Sequence, residues 1–237
     1  MSSSIATTTA TADLLAINRE LTGASTGYMT ELRDAWEELL SEAHQVSSDV
    51  VELSALSGAE LGPLTVFLER CPDAIASFQH VSVHGPSKGW ARSIKDLVGV
   101  LIALPAAVAG VVMHPDSMGD IASFAPLGER LWLENMDTRK GDGRTVDELF
   151  RCFAAVKNAR FCFDIAHARL HDPSMELAHA LLDTFGERLA EVHLSSIEQD
   201  GTHIPLLDED LERFAPVLVR CTGVPWILEA PLPKTWL

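Results

Sequence analysis

The chain has 237 residues, 47% of them hydrophobic and 22% charged, an ordinary globular composition that can bury a large core without covalent staples. Its 34 acidic residues outnumber 18 basic ones, for a net charge of −16. That charge repels a phosphate backbone at long range, so general nucleic-acid binding is disfavoured and the acidic surface reads first as a solubility device. Cys71, Cys152, Cys162 and Cys221 form no CxxC pair and no zinc-finger spacing, which suits a reducing, cytoplasmic compartment.

The opening MSSSIATTTATA lacks the basic end and apolar centre of a signal peptide. Residues 1–12 are expected to be a frayed tail ahead of one domain over 13–237. A first strand is predicted at 14–18 (LLAIN) and a second at 50–55 (VVELSA), with helical spacing in TELRDAWEELLSEAH, from Thr30, between them. A third strand falls at 80–84 (HVSVH). The uncharged stretch 97–113, LVGVLIALPAAVAGVVM, approaches membrane-spanning length. Pro105 divides it, so the part that follows Ser93-Ile94-Lys95-Asp96 reads as a helix end and the part from Val108 to Met113 as a buried strand, with no membrane partner. Further strands follow at 109–114 (AGVVMH), 131–134 (LWLE), 161–164 (FCFD), 190–193 (AEVH) and 225–229 (PWILE). Thr145-Val146-Asp147-Glu148 predicts a capping box opening DELFRCFAAVKNA, and SMELAHALLDTFGERL and DEDLERFAPVLVRC are amphipathic. Eight strands alternating with helices in this length favour an α/β fold, a single-domain (β/α)8 TIM barrel. No GxGxxG follows the first strand, which removes the usual reason to prefer an open dinucleotide-binding sheet.

Six consecutive strands end in acid or imidazole: His84, His114, Glu134, Asp164 (with His167 just beyond), His193 (with His203 in the next loop) and Glu229. Parallel barrel strands deliver their C-termini to one face, where active sites lie. Carboxylates crowded there resist burial, and a divalent cation with neutral imidazoles removes that difficulty. His44, His171 and His179 read as ordinary hydrogen-bonded histidines, and His80 is given no role.

The run VHGP, VVMHPD, LWLENMD, FDIAHA, VHLSS, HIPL and ILE resembles the xylose-isomerase-like barrel superfamily over roughly residues 80 to 230. That group joins sugar isomerases and epimerases with the endonuclease-four type of apurinic endonuclease, AP endonuclease family 2. In its isomerase branch the resemblance implies one divalent metal (Mn2+, Co2+, Mg2+ or Zn2+) held by Glu134, Asp164, His193 and Glu229. The two glutamates then move a proton beside a carbonyl, and His167 joins them as a catalytic candidate. In the endonuclease branch three zinc ions are implied, and His84, His114, His167 and His203 match the additional histidines. That branch also carries an aspartate two places before the last histidine; Gly201 stands there, with Asp200 one position off. No basic or aromatic-rich insertion accompanies the motifs.

The reading favoured is therefore an isomerase or epimerase of a small sugar or sugar phosphate. Zinc-dependent cleavage of abasic DNA and a non-catalytic sugar- or metal-binding barrel are the alternatives. Lys88, Arg139, Lys140 and Arg169, each just past a strand end, are candidate substrate contacts. Trp90 is a candidate pocket wall, and Trp132, inside a strand, reads as core packing.

Overall fold

The computed structural model describes residues 16–88, 90 and 92–232. The expected tail at 1–12 lies outside these residues, as do 14 and 15 of the first expected strand. Residues 16 and 17 are helical, so the first strand is not LLAIN. It is β1, Thr22–Ser25, with the sequence TGAS. The strand is small-residued because its surroundings allow nothing larger: a Cβ on Gly23 would collide with the backbone carbonyl of Val50 on the neighbouring strand.

The other barrel strands are β2 (Val50–Ser54), β3 (His80–His84), β4 (Gly110–Met113), β5 (Leu131–Glu134), β6 (Arg160–Asp164), β7 (Leu189–Leu194) and β10 (Trp226–Leu228). They pair in parallel and close in the order β1-β10-β7-β6-β5-β4-β3-β2. A two-stranded antiparallel hairpin, β8 (Ser196–Ile197) and β9 (His203–Ile204), rises from the end of β7. The fold is thus the single-domain (β/α)8 barrel expected. No helix among the described residues is long and apolar enough to cross a membrane.

Helices α1 (Trp36–Val46), α2 (Gly58–Arg70), α3 (Ile94–Ala103), α4 (Val146–Ala155), α5 (Ile165–His171), α6 (Glu176–Phe185) and α7 (Asp208–Leu218) surround the strands. The pattern beginning at Thr30 does not run as one helix. Thr30–Leu32 form a 3-10 turn, and Asp34 at φ 68° breaks the chain before α1. The uncharged stretch 97–113 divides as expected between the end of a helix, α3, which carries a full Ser93/Asp96 capping box, and β4. Thr145 caps α4 by accepting from the Glu148 amide, but Glu148 turns to Arg144 rather than back to the cap. Between β4 and β5 the chain forms a 3-10 stretch, Ile121–Arg130, interrupted at Gly128.

Most of the core lies between sheet and helices; Phe124, Phe161, Phe163, Phe214 and Trp226 are fully buried. The barrel interior differs. Its apolar cluster is only Val112, Trp132, Cys162 and Ala190, and Glu52, Ser82, Glu191 and His193 are buried with no exposure.

Candidate metal centre

Strand register brings the polar ends together. Asp164 stands beside His193 across β6 and β7, and Glu134 is one step from β6 through its pairing with Cys162. Glu134 is the hub. Its Oε2 lies 3.2 Å from His84 Nε2 and 3.1 Å from His114 Nε2, while its Oε1 lies 3.3 Å from His167 Nδ1 and 3.7 Å from His193 Nδ1. His193 Nδ1 is also 3.3 Å from Glu229 Oε1, and His203 Nδ1 is 3.1 Å from Glu229 Oε2. Asp164 does two jobs. Its Oδ1 caps α5 by accepting from the His167 amide at 2.6 Å, and its Oδ2 points toward His167 Nδ1 at 3.4 Å. All eight residues singled out as ligands therefore meet at the C-terminal mouth of the barrel.

The cluster is buried, and the charges settle one another. Burial alone opposes ionising Glu134, yet His114, His167 and His193 hold its carboxyl well below the usual range. Burial likewise works against Glu229, and His203 and His193 outweigh it. Burial dominates at Asp164, raising it to about 7 despite His167. For His84, burial opposes the charge, but Glu134 and Glu52 prevail and raise it to about 9. His167 rises to about 10 against the same opposition, through Asp164, Glu134 and Glu229. His193 goes up as well, while burial carries His114 down. Without a cation the site is an array of anions kept tolerable by protons on imidazole.

The donors fit a divalent ion. Glu134, Asp164 and His193 offer ligand atoms within 4.8 Å of one another; so do His84, His114 and Glu134, and so do Asp164, His167 and His203. Asp164 Oδ2, His193 Nδ1, Glu229 Oε2 and His114 Nδ1 are buried without a hydrogen-bond partner among the described residues. Buried polar atoms are normally paired, and two of these residues, Asp164 and His193, form one group of possible ligands with Glu134. Mixed carboxylate and imidazole ligation suits zinc, manganese or cobalt.

A second polar layer lies beneath, at mid-strand positions that the strand-end pattern does not mark. His193 Nε2 faces Glu52 Oε2 at 3.1 Å and Glu191 Oε1 at 3.4 Å. Glu191 in turn accepts from Ser82 at 2.8 Å and lies 3.0 Å from His80 Nε2. His80, given no role from the sequence, thus ends a polar column running down the barrel, and it stacks on Trp132 at 5.7 Å. Cys162 sits in the same interior, its thiol pushed up by burial. The available signal was two-residue spacing: Glu52/Ser54, His80/Ser82/His84 and Glu191/His193 all face inward.

Above the hub a cleft of about 330 Å³ is lined by Lys88, Arg139, Lys140, Ser25, Ser54 and Tyr28, among others, and reaches Glu134, His167 and Glu229. Arg169 is not there. It donates to the Ile197 carbonyl at 2.8 Å and pairs with Asp210 at 3.0 Å, so it ties α5 to the hairpin and α7. Trp90 also stays off the cleft and donates to the Ser93 carbonyl. Trp132 is buried in the interior, as expected. His44 stacks on Phe78 and His179 meets Arg220, both away from the centre.

No protein-family model and no curated protein sequence matches the chain. Solved structures do. A 3-keto-D-glucoside 4-epimerase from E. coli is similar at 15% identity, covering 91% of this chain and 94% of that one, with a TM-score of 0.59. An AP endonuclease, family 2, from Brucella melitensis is similar at 15% identity over 90% and 93%, TM-score 0.55. The probable 3-DHS dehydratase from Bacillus anthracis follows at 12% identity over 89% and 92%, TM-score 0.54. The (β/α)8 barrel is the fold that these structures share with this chain. At these identities the likeness establishes architecture, and the three structures that share it differ in chemistry.

Proposed function

We propose that this protein is a divalent-metal-dependent isomerase or epimerase acting on a small sugar or sugar phosphate. The observation that carries the reading is the convergence of Glu134 and Glu229 on His193 Nδ1, at 3.7 and 3.3 Å, with both acids lining one cleft. A divalent ion held by Glu134, Asp164, His193 and Glu229 would polarise the carbonyl and hydroxyl oxygens of a bound sugar and so acidify the C–H between them. The chain's own residues do the rest. Glu134 and Glu229 are held ionised by the imidazoles around them and are the groups that take and return the proton. His167 Nδ1, 3.3 Å from Glu134 Oε1, is placed to orient that carboxylate and to stabilise its ionised form between proton transfers. Lys88 and Lys140 on the cleft wall suit a phosphate or acidic group, whereas the Arg139 guanidinium is engaged by Asp137 and the Asp200 carbonyl; the Ser25 and Ser54 hydroxyls suit sugar hydroxyls. A cleft of about 330 Å³ is at the small end of ligand sites, which matches a monosaccharide.

Elemental analysis of protein purified without chelator, followed by a panel of ketoses and ketose phosphates assayed with Mn2+ or Co2+, tests the proposal. Turnover of one class with metal bound supports it. Bound metal with inactivity toward the whole panel, and nicking of abasic duplex DNA, would replace it with phosphodiester cleavage. The His84–His114–Glu134 group favours that second reading, since it adds ligands beyond those one ion needs. Absence of metal after supplementation would leave a binding barrel.

A further inference from the structure

We propose that the guanidinium of Arg139 occupies the role of a metal ion in the His167–His203 corner, so that metal is held only in the groups around Glu134. The inference rests on the metal centre proposed above. The His167 and His203 rings lie 5.2 Å apart, and with Asp164 they offer a third set of ligand atoms. The next carboxylate in reach is Asp137, whose Oδ2 is 3.7 Å from His167 Nε2. Both of its oxygens are already engaged. Oδ1 accepts from Arg139 Nε at 2.9 Å and from the Arg139 amide at 2.7 Å, and Oδ2 accepts from a terminal guanidinium nitrogen at 2.6 Å. This bidentate pairing is the strongest that a carboxylate makes with a side chain.

The hairpin side of the corner is closed in the same way. Gly201, two residues before His203, has φ +81°, and a Cβ built on it would coincide with the guanidinium of Arg139. Arg139 also donates to the Asp200 carbonyl. The Asp200 carboxylate accepts from the Thr202 amide at 2.9 Å within its own loop and does not turn inward. No ligand can enter from position 201 while Arg139 stays where it is. A guanidinium has no lone pair to give a metal and does not deprotonate in proteins, so it repels a second cation in that corner and cannot ligate one. Nuclease-like barrels are expected to place an acid at this position; here a glycine makes room for a cation supplied by the chain.

The test is a metal count after loading with Zn2+ and desalting, on the wild type and on the double variant Arg139→Ala/Gly201→Asp. Removing the guanidinium frees Asp137, and the new aspartate supplies a ligand two places before His203. The double variant is expected to bind one more Zn2+ per chain than the wild type. Equal counts, with the variant folded by circular dichroism, overturn the proposal. Should the double variant not fold, Arg139→Gln, which keeps Gly201, serves instead: one extra Zn2+ supports the assignment and no gain overturns it. A wild-type count of zero would overturn the metal centre itself, whereas the difference between variant and wild type decides the role of Arg139.

Discussion

Four imidazoles face the single carboxylate of Glu134 at 3.1 to 3.7 Å, so its loss should cost more than one ligand. Glu134→Gln is expected to abolish metal retention, measured by elemental analysis. Glu229 is the more exposed of the two acids, and Glu229→Gln should lower turnover by about 10²- to 10⁴-fold while the circular dichroism spectrum is unchanged; full activity would remove Glu229 from the mechanism. Glu52 and Glu191 act from behind, through His193 Nε2. Outer partners of this kind set the orientation and basicity of an imidazole ligand, so Glu191→Gln should weaken metal binding by about 10- to 100-fold, read by competition with a chelating dye. Six of the eight mouth residues were legible because each closes an apolar run at a strand end, and His167 and His203 because they lie just beyond two of those ends. Glu52 and Glu191 were not. A charged residue in mid-strand is read as facing solvent, and only closure of the barrel turns that face into an interior. Arg169 shows the opposite error: a basic residue beyond a strand end looks like a substrate contact until Asp210 appears beside it.

Among the elements, seven of the eight barrel strands lie close to their expected positions because branched and aromatic runs mark them. β1 escaped because TGAS has no hydrophobic signature. It is buried through close approach of backbones, which a sequence window does not register. The packing at Gly23 makes this testable. Gly23→Ala should destabilise the barrel by about 1–3 kcal/mol, the usual cost of overpacking a filled site, and chemical denaturation would read it as a lower midpoint. An unchanged midpoint would mean that β1 and β2 are free to separate. Helix expectations fared unevenly. α4 begins after Thr145 as read, and α6 and α7 fall in the two amphipathic stretches although neither has a side-chain cap, whereas the helix from Thr30 fails at Asp34, where a positive φ breaks a pattern of otherwise suitable spacing. α5, seven residues long, is too short to carry a periodic signal, although it places His167.

For the molecule as a whole, metal uptake by the buried cluster would be coupled to pH. His84 and His167 keep their protons to about 9 and about 10, against an ordinary 6.5, and Asp164 to about 7, against 3.8. For groups raised in this way, stabilisation is complete below the ordinary value and disappears as pH climbs through the shifted one. Glu134 and Glu229 have the opposite sign: held well below 4.5, they stabilise above that pH and stop doing so only in strong acid. The metal-free barrel should therefore be most stable in mild acid, close to the ordinary carboxylate range, and lose stability toward pH 10. Metal reverses the upper limb, because ligands must shed their protons before they bind. If one proton competes, affinity rises about tenfold per pH unit, worth about 1.4 kcal/mol each time. Between pH 6 and pH 8 the extra stabilisation by Zn2+ or Mn2+ at fixed free concentration should then shift Tm by roughly 5–10 °C for a chain of this size. Comparing metal-loaded with metal-free protein at each pH cancels the titration of surface groups, which both forms share. A metal-induced shift that is flat or shrinks from pH 6 to pH 8 would mean the ion does not displace protons from these imidazoles, and so is not bound by the cluster around Glu134.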